Sequence, residues 1–333
     1  MSASQPRRYV VIGSNCFTGA HIVDALLADP LNTVVGISRS PQPHAVFRPY
    51  DRHQPGRFQF VQLDLVRQPD AVQQLLDRER PDVVVNVAAL SEVGLSNESP
   101  VEYFEVNTTA VVRLCNFLRT RDYLRQYVHI SSAEVYGSCE GSVREDAPFR
   151  PSTPYAVSKA AADLYLGSVV RNFDFPAVLI RSTNVYGRHQ QLFKIIPRTL
   201  IYLRQGKPIE LHGGGQSIKS FVHIRDVVHG LQLAVEKNAR GTFNFSVPSG
   251  LTVADIVRQV CELAGHDFSR STRVVGERLG QDSRYWLDCS RAERELGWTP
   301  QVPFEQGLRE IVDWVNASWN DIQGLPLEYQ HKV

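Results

Sequence analysis

The sequence predicts an α/β fold with a doubly wound parallel sheet, followed by a smaller mixed α/β C-terminal domain. Three observations support this prediction. Short apolar runs rich in β-branched residues alternate with helical patterns through the first half of the 333 residues. The runs are apolar at successive positions, as are strands covered by helices on both faces. The first run leads directly into a glycine loop and a helix, which is how a Rossmann-type sheet begins.

Six strands and four helices are predicted in the first half of the chain. The strands are 9–12, 33–37, 58–65, 83–87, 127–130 and 177–180. The helices are 19–28, 70–80, 101–120 and 154–172, and the first two stop at prolines. We assign residues 1–185 to this first domain, which also receives elements from about 220–250.

Residues 186–333 form mainly the second domain, in which glycine and proline are denser. Helical patterns cover 223–237, 253–264, 290–296 and 304–314, and a strand is predicted at 242–247. Residues 316–333 have no clear period.

Composition excludes several classes of protein. The 36 Lys and Arg residues nearly balance the 35 Asp and Glu residues, and no basic block stands out, so we expect no nucleic-acid partner. The apolar runs are too short to span a bilayer, so we expect no membrane insertion. The five cysteines are scattered without a CxxC pair, which favours a reducing, cytoplasmic location and no metal site.

The loop after the first strand has the first and last glycines of a dinucleotide-binding loop. Gly13 would make the tight turn and Gly19 would allow close packing of the helix, while Cys16 holds the middle position. We predict that the loop binds a dinucleotide phosphate with the helix N-terminus. The predicted contacts are Gly13, Asn15, Cys16, Phe17, Thr18 and Gly19. A plain strand–turn–helix is the alternative.

The second strand ends in Ser38 and Arg39, without the carboxylate that an NAD ribose prefers. Serine removes the repulsion of a 2′-phosphate, and arginine can pair with it. We therefore predict NADP, with NAD as the other possibility and a solvated Arg39 as the structural alternative. Asp64, at the end of the third strand, would contact the adenine or cap a turn.

Catalytic residues are predicted where the fifth strand ends in Ser131 and Ser132. Tyr155 and Lys159 follow at the start of a helix, four residues apart and so on one face. The ammonium, with the charge of an oxidised nicotinamide, would favour the phenolate. Tyr155 would then take a proton from a substrate hydroxyl while a hydride leaves for the cofactor.

Several motifs along nearly the whole chain resemble those of one family. They are the glycine loop, SSAEVYG (131–137), PYAVSK (154–159), RSTNVYG (181–187), KSFVHIRDV (219–227), GQDSRYWLD (280–288) and ELGWTP (295–300). The chain resembles the extended short-chain dehydrogenases/reductases that modify nucleotide sugars. The first domain is thus predicted to bind NADP and the second to bind a nucleotide sugar. Leu65, Ala88, Ala89, Asn107, Ser131, Tyr155 and Lys159 complete the predicted cofactor contacts.

Within this family the SSAEVYG motif is most similar to that of the nucleotide-sugar 4,6-dehydratases, including the GDP-mannose and dTDP-glucose enzymes. The resemblance implies that Tyr155, with Ser132 and Lys159, acts at the sugar C4 oxygen and that Glu134 removes the C5 proton. Water then leaves from C6, and the product is a 4-keto-6-deoxy sugar. Ala133 departs from the dTDP-glucose enzymes, which have an acidic aspartate there, so Glu134 or water must protonate the leaving hydroxyl.

Other readings of the same scaffold stay open. They are an NADP-dependent 4-ketoreductase, an epimerase, a decarboxylase and a non-catalytic NADP-binding protein, with Glu134 as a plain surface charge in the last.

The resemblance also implies how a nucleotide diphosphate sugar is held. Asn184, Lys219, Arg278 and the segment 189–197, which includes Lys194, would meet the diphosphate, and Ser91 and Glu92 would line the sugar pocket. The helices 101–120 and 154–172 resemble the pair that forms a four-helix homodimer interface. Neither the base nor the sugar is specified by the sequence.

Overall fold

The computed structural model describes residues 6–139, 141–276 and 286–329. The strands are β1 (Arg8–Ile12), β2 (Thr33–Ser38), β3 (Phe58–Gln62), β4 (Val83–Asn86), β5 (Gln126–Ile130), β6 (Ala177–Ser182), β7 (Asn184–Tyr186), β8 (Ile209–His212), β9 (Ile218–Lys219), β10 (Phe221–His223), β11 (Gly241–Phe245), β12 (Leu251–Thr252) and β13 (Thr272–Val275). The helices are α1 (Phe17–Leu27), α2 (Pro69–Glu79), α3 (Pro100–Phe104), α4 (Ala110–Leu118), α5 (Pro154–Phe173), α6 (Ile195–Arg204), α7 (Ile224–Glu236), α8 (Val253–Leu263), α9 (Phe268–Ser271), α10 (Phe304–Ala317) and α11 (Trp319–Ile322).

A parallel sheet of seven strands forms the centre of the described structure, in the order β11-β6-β5-β4-β1-β2-β3. Strand β1 shows why it is covered on both faces. Tyr9 and Val11 belong to a core that includes α1 and α7, whereas Val10 and Ile12 belong to a core that includes α2, α4 and α5. This alternation follows from the period of two along a strand. The predicted doubly wound fold is confirmed.

A third core lies outside the sheet and is formed mainly by α6, α8 and α10. Three two-stranded pairs accompany it: β7 with β10, β8 with β13, and β9 with β12. Strand β11 comes from this later part of the chain but pairs with β6 in the central sheet. The polypeptide thus returns to the first sheet after leaving it.

Two predicted elements differ from the structure in detail. The third strand ends at Gln62 rather than at residue 65, because Asp64 Oδ1 accepts bonds from the amides of Val66 (2.7 Å) and Arg67 (3.1 Å) and so closes a turn. The long helix predicted at 101–120 contains a π-helical turn, Glu105–Thr109, between α3 and α4. None of the helices within the described ranges combines the length and apolar character needed to cross a membrane.

Candidate active site

Two cavities open at the carboxyl ends of the central strands. One, of about 380 Å³, is lined by Gly13, Ser38 and Asp64, among others, and is called here the loop cavity. The other, of about 250 Å³, surrounds Tyr155 and is called the tyrosine cavity. They share Cys16, Val87 and Ala89 in their walls, so they are adjacent. Parallel α/β sheets bind ligands at this edge.

Most of the predicted cofactor residues line these two cavities. Those of the loop cavity are Gly13, Asn15, Cys16, Ser38, Arg39, Asp64, Leu65, Ala88 and Ala89. Those of the tyrosine cavity are Cys16, Phe17, Thr18, Ala89, Ser131, Tyr155 and Lys159. Gly19 and Asn107 are in neither wall.

The glycine loop lies so close to its neighbours that two of its positions have no room for a side chain. Gly13 has a φ of 91°, and a Cβ atom there would lie 2.6 Å from the Ala88 amide nitrogen. A Cβ atom on Gly19 would lie 2.2 Å from the Gly13 carbonyl oxygen. Both positions therefore need glycine, the first also for its backbone conformation.

Cys16 takes the middle position of the loop by acting as the N-cap of α1. Its Sγ accepts a hydrogen bond from the Gly19 amide at 3.3 Å, and burial raises the pKa of the thiol. The neighbouring Asn15 amide donates to Ser38 Oγ at 3.0 Å, which fixes the loop to the end of β2. The loop thus keeps its shape without a middle glycine.

Asn107 holds two elements of the site together from the interior. Its Oδ1 accepts from the Leu90 amide (2.9 Å), and its Nδ2 donates to Leu90 O (3.0 Å) and to Ser158 Oγ (3.0 Å). Thr108 Oγ1 also donates to Ser158 O at 2.8 Å. Asn107 was predicted to contact the cofactor; the structure uses its amide to join the segment after β4 to α5.

Tyr155 lies at the start of α5, where Thr153 Oγ1 caps the helix by accepting from the Ala156 amide at 3.2 Å. Burial and then the charge of Glu134 raise the pKa of the phenol, while a hydrogen bond with Ser132 lowers it. The sequence predicts that the charges of Lys159 and of a nicotinamide favour the phenolate. Among the protein's own groups, burial and the Glu134 charge outweigh the Ser132 hydrogen bond, so the pKa of Tyr155 lies above its ordinary value.

Lys159 is almost completely buried beneath Tyr155. Its Nζ donates to Ile130 O at 2.8 Å and lies 3.4 Å from His129 Nε2. Burial lowers the pKa of the ammonium to about 8, although the charge of Asp163 opposes the shift. A lysine with this pKa can release and regain a proton near neutral pH.

Glu134 belongs to a short 3₁₀ turn, Ala133–Tyr136, that follows β5. The turn begins at Ser132, whose Oγ accepts from the Glu134 amide at 3.2 Å. Ser132, Glu134 and Tyr155 all line the tyrosine cavity. Lys159 lies in the same wall, so the structure brings together all four side chains predicted to be catalytic.

A buried ion pair supports this turn from behind. Arg181 Nε donates to Asp163 Oδ2 at 2.8 Å, and Arg181 Nη1 donates to the Tyr136 hydroxyl at 2.6 Å. The Tyr136 hydroxyl in turn donates to Asn244 Oδ1 at 3.0 Å. The network fixes the C-terminal end of the turn that carries Glu134.

The predicted substrate residues divide between two cavities. Ser91, Asn184 and Lys194 line the tyrosine cavity, and Lys194 forms an ion pair with Glu92. Lys219 lines a different cavity of about 260 Å³. Arg278, also predicted, lies outside the described residues.

Gln190 and Gln191, in the wall of the tyrosine cavity, belong to the segment 189–197 predicted to meet the diphosphate. Sequence reasoning missed two further polar residues of this wall, Ser182 and Thr183. Their signal was available, because they follow the end of a predicted strand, as the predicted Asn184 also does.

Comparison with known proteins agrees with this geometry. The pattern of the NAD dependent epimerase/dehydratase family matches residues 9–246. A dTDP-glucose 4,6-dehydratase of Haemophilus influenzae is 30% identical over 280 residues, which are 78% of this chain and 82% of the relative. A trifunctional UDP-glucose 4,6-dehydratase/epimerase/reductase of Arabidopsis thaliana is 26% identical over 98% of this chain, which spans about half (50%) of that protein's length.

Two solved structures share the fold over nearly the whole chain. The dTDP-glucose 4,6-dehydratase of Streptomyces venezuelae, with NAD and TYD bound, has a TM-score of 0.87 and 30% identity, and covers 94% of this chain and 98% of its own. The UDP-glucuronic acid 4-epimerase of Bacillus cereus, with UDP-glucuronic acid and NAD, has a TM-score of 0.84 and 27% identity, and covers 93% and 99%. On its sequence pattern, its sheet and its site, this chain belongs to the NAD dependent epimerase/dehydratase family.

Proposed function

We propose that the protein is a nucleotide-sugar 4,6-dehydratase, which converts a nucleotide diphosphate hexose into its 4-keto-6-deoxy derivative. The observation that carries the proposal is the placement of Glu134 in one cavity wall with Ser132, Tyr155 and Lys159. A carboxylate near the tyrosine can take a C5 proton that a C4 ketone has made acidic. The similarity to 4,6-dehydratases supports the same reaction.

The residues present fit a nicotinamide dinucleotide. Gly13 and Gly19 let the backbone of the loop pack closely at the wall of the loop cavity, and the loop leads into the N-terminus of α1. Ser131 Oγ is buried in the wall of the tyrosine cavity without a hydrogen-bond partner among the described residues. A bound nicotinamide would supply a reversible hydride acceptor beside Tyr155.

For the phosphate on the ribose we propose NADP rather than NAD. Ser38 and Arg39 line the loop cavity at the end of β2, where an NAD-preferring site would have a carboxylate. The test compares dissociation constants for NADP and NAD in wild type and Arg39→Ser. We expect tighter NADP binding that the substitution weakens without changing NAD affinity; equal or reversed affinities in wild type would assign the protein to NAD.

Different side chains of the protein carry out the separate proton transfers. Tyr155 takes the proton of the C4 hydroxyl, with the Ser132 hydroxyl on the same oxygen, and Lys159 lies behind it to relay charge. Glu134 takes the C5 proton. Since Ala133 offers no acid, Glu134 then gives its proton to the C6 hydroxyl, directly or through water, as that group leaves. The substrate thus loses one water. The hydride taken from C4 would return to C6 and the proton held by Tyr155 to C5, so that the substrate undergoes no net oxidation or reduction.

The polar wall opposite Tyr155 is proposed to hold the nucleotide sugar. Ser91 and Glu92 would meet the sugar, and Asn184 and Lys194, which pairs with Glu92, would meet the diphosphate. Lys219, in its separate cavity, and Arg278 would also meet the diphosphate.

The decisive assay offers purified protein with NADP a panel of GDP-, UDP-, dTDP- and CDP-hexoses and follows product mass. Loss of one water without added reductant is expected for one of them. The second candidate, a 4-epimerase, is favoured by the absence of an acid at Ala133 and by the similar epimerase structure. It would give a product of unchanged mass, and a 4-ketoreductase would consume external NADPH.

Glu134→Gln tests the role of the carboxylate. We expect unchanged cofactor affinity and loss of exchange between the C5 hydrogen and solvent, because the amide cannot accept that proton. Glu236→Gln, an exposed glutamate at the end of α7, is the matched control. Exchange at the wild-type rate in Glu134→Gln would remove Glu134 from the mechanism.

We also propose a homodimer formed through α3, α4 and α5, in the cytoplasm. Val101 (69% exposed) and Leu164 (64%) are large apolar side chains on the surface of these helices. Leu164→Asp should convert the dimer to a monomer, measured by light scattering. A monomeric wild type, or a variant that stays dimeric, would contradict the proposed dimer.

Within each protomer we propose a cofactor domain, 1–185 with α7 and β11, and a nucleotide-sugar domain formed mainly by 186–333.

A further inference from the structure

A third cavity, of about 700 Å³, lies on the α1 and α7 side of the sheet. Four arginines line it: Arg48, Arg52, Arg188 and Arg225. Three histidines join them: His21, His189 and His223. We call it the arginine–histidine cavity. It shares no lining residue with the loop cavity or the tyrosine cavity.

The carboxylates of the region each pair with a cation of their own. Asp24 accepts from Arg52 Nε (2.8 Å) and Nη2 (2.9 Å) and contacts His53 Nε2 at 2.9 Å. Glu310 pairs with Arg225, and Asp51 pairs with Arg48 at 3.0 Å from outside the cavity wall. Arg188 has no carboxylate partner within the described ranges, so the cavity keeps an excess of positive charge.

His223 presents a buried hydrogen-bond donor without an acceptor. Its Nδ1 accepts from the Arg225 amide at 3.2 Å, which places the proton on Nε2. Nε2 is buried and makes no hydrogen bond to any described residue; the nearest carboxylate oxygen, Glu310 Oε2, is 3.7 Å away. Burial and the charges of Arg225 and Arg188 lower the pKa of His223 to about 3, so the ring is a neutral donor at physiological pH. Arg48 Nε is likewise buried without a partner in the described part of the chain.

The wall of the cavity includes a strained residue. His189 has a φ of 67°, in the left-handed region that non-glycine residues rarely adopt. Its Nδ1 bonds Val46 O at 2.8 Å, and its ring packs 5.5 Å from the Trp314 ring and 5.6 Å from the His21 ring. Strain held by so many contacts is characteristic of ligand-binding positions.

We propose that the arginine–histidine cavity binds a small molecule carrying a phosphate or diphosphate group, held by Arg188, Arg48 and His223. Arg188, Arg48 and His223 come from three separate segments and line one cavity, where a ligand with several acceptor oxygens would bond them together. Guanidinium groups match phosphate oxygens in geometry and charge. A volume of about 700 Å³ is in the range of small-molecule sites, which leaves room for an organic part.

The position of the cavity connects it to the tyrosine cavity. Arg188 and His189 precede Gln190 and Gln191, which line the tyrosine cavity, in one short segment. Helix α1 similarly gives Phe17 to the tyrosine cavity and His21 to the arginine–histidine cavity. The arginine–histidine cavity and the tyrosine cavity therefore take lining residues from the same two segments while sharing none.

Calorimetric titration with inorganic pyrophosphate, in phosphate-free buffer of low ionic strength and with saturating NADP, tests the proposal. Arg188→Gln and Arg48→Gln should each weaken binding about tenfold or more, since each removes a charge-assisted hydrogen bond. The exposed Arg78→Gln is the matched control and should bind as wild type does, whereas Lys194→Gln reports any pyrophosphate that binds in the tyrosine cavity instead. Thermal melting of every variant checks that it is folded.

Three results would overturn the proposal: no saturable binding in wild type, wild-type affinity in both cavity variants, or a loss of binding that follows Lys194→Gln. Glucose 1-phosphate and UDP, titrated in the same way, identify which organic part the site accepts by their affinity relative to pyrophosphate. Citrate, a carboxylate of similar charge, should bind at least tenfold more weakly, and equal affinity would contradict the assignment to phosphate. None of these outcomes depends on the dehydratase reaction.

Discussion

Replacing Asp163 by asparagine should destabilise the protein by about 3 kcal/mol or more, because it leaves the Arg181 guanidinium buried without its counter-charge. The side chain of Asp163 is 0% exposed and that of Arg181 is 5% exposed, so water cannot compensate for the lost partner. Arg181 keeps the hydroxyl of Tyr136 and the carbonyl of Glu145, both neutral acceptors. This places the expected loss at the lower end of the range of about 3–5 kcal/mol for breaking a buried ion pair.

Arg181→Met leaves the Asp163 carboxylate buried without its counter-charge, so it should lower the free energy of unfolding by at least as much as D163N does. In the double variant both charges are absent. Its loss should therefore be smaller than the sum of the two single losses by about 2 kcal/mol or more. Tyr136 loses one of its two partners, so the turn of Glu134 should loosen. The double variant should exchange the C5 hydrogen more slowly while its affinity for NADP stays near wild type.

Equilibrium unfolding in urea, followed by circular dichroism, measures the three free-energy changes under one set of conditions. Two results would refute the reasoning. One is a loss below about 1 kcal/mol for D163N, which would mean that the pair is not desolvated as the structure has it. The other is strict additivity of the two substitutions, which would mean that the charges do not interact.

Three further predictions concern the same half of the molecule. Lys159 has a pKa of about 8 in the folded protein against an ordinary value of 10.5, so between pH 8 and 10.5 the unfolded chain binds more protons than the folded one. The free energy of unfolding should therefore rise over this range by up to about 1.4 kcal/mol per pH unit relative to Lys159→Met. If urea unfolding gives the two proteins the same dependence on pH, the prediction is wrong. Gly13→Ala should abolish dinucleotide binding in calorimetry, because its Cβ would lie 2.6 Å from a backbone nitrogen, whereas Gly56→Ala, at a φ of 94° with open space around it, should leave binding unchanged. Asn107→Leu should lower the free energy of unfolding by about 2–4 kcal/mol, since it leaves the buried Leu90 amide and carbonyl unpaired; a loss below about 1 kcal/mol would show that these groups find other partners.

The central sheet could be predicted because its strands are apolar on both faces, which only a parallel sheet covered by helices explains. Helix α6 was missed for a local reason. Its sequence, IIPRTLIYLR, contains Pro197, which reads as a helix breaker but lies in the first turn, where no backbone donor is lost. The short strands β7 and β10 were missed because three residues carry no detectable period.

The candidate site, like the fold, could be predicted only in part. Tyr155, Lys159 and Glu134 could be predicted because each lies in a short motif next to a strand end. The support by Arg181 and Asp163 could not, since the two residues are distant in sequence and each alone reads as an ordinary surface charge. The arginine–histidine cavity is a stronger case, because its residues come from five separate segments and only the folded backbone brings them together.

The π-helical turn Glu105–Thr109 has a consequence for how this protein tolerates insertions and deletions. Because the turn accommodates one extra residue, two consecutive side chains, Asn107 and Thr108, both reach Ser158 on the neighbouring helix. Removing a single residue here would restore a regular helix without changing the face that α4 presents to the sheet, because the turn absorbs that residue. The shortened helix could not keep both contacts to Ser158. A deletion within α4 itself would instead rotate the residues after it by about 100° and turn the apolar stripe away from the sheet. A difference of one residue between related chains should therefore be tolerated at this turn and not within α4.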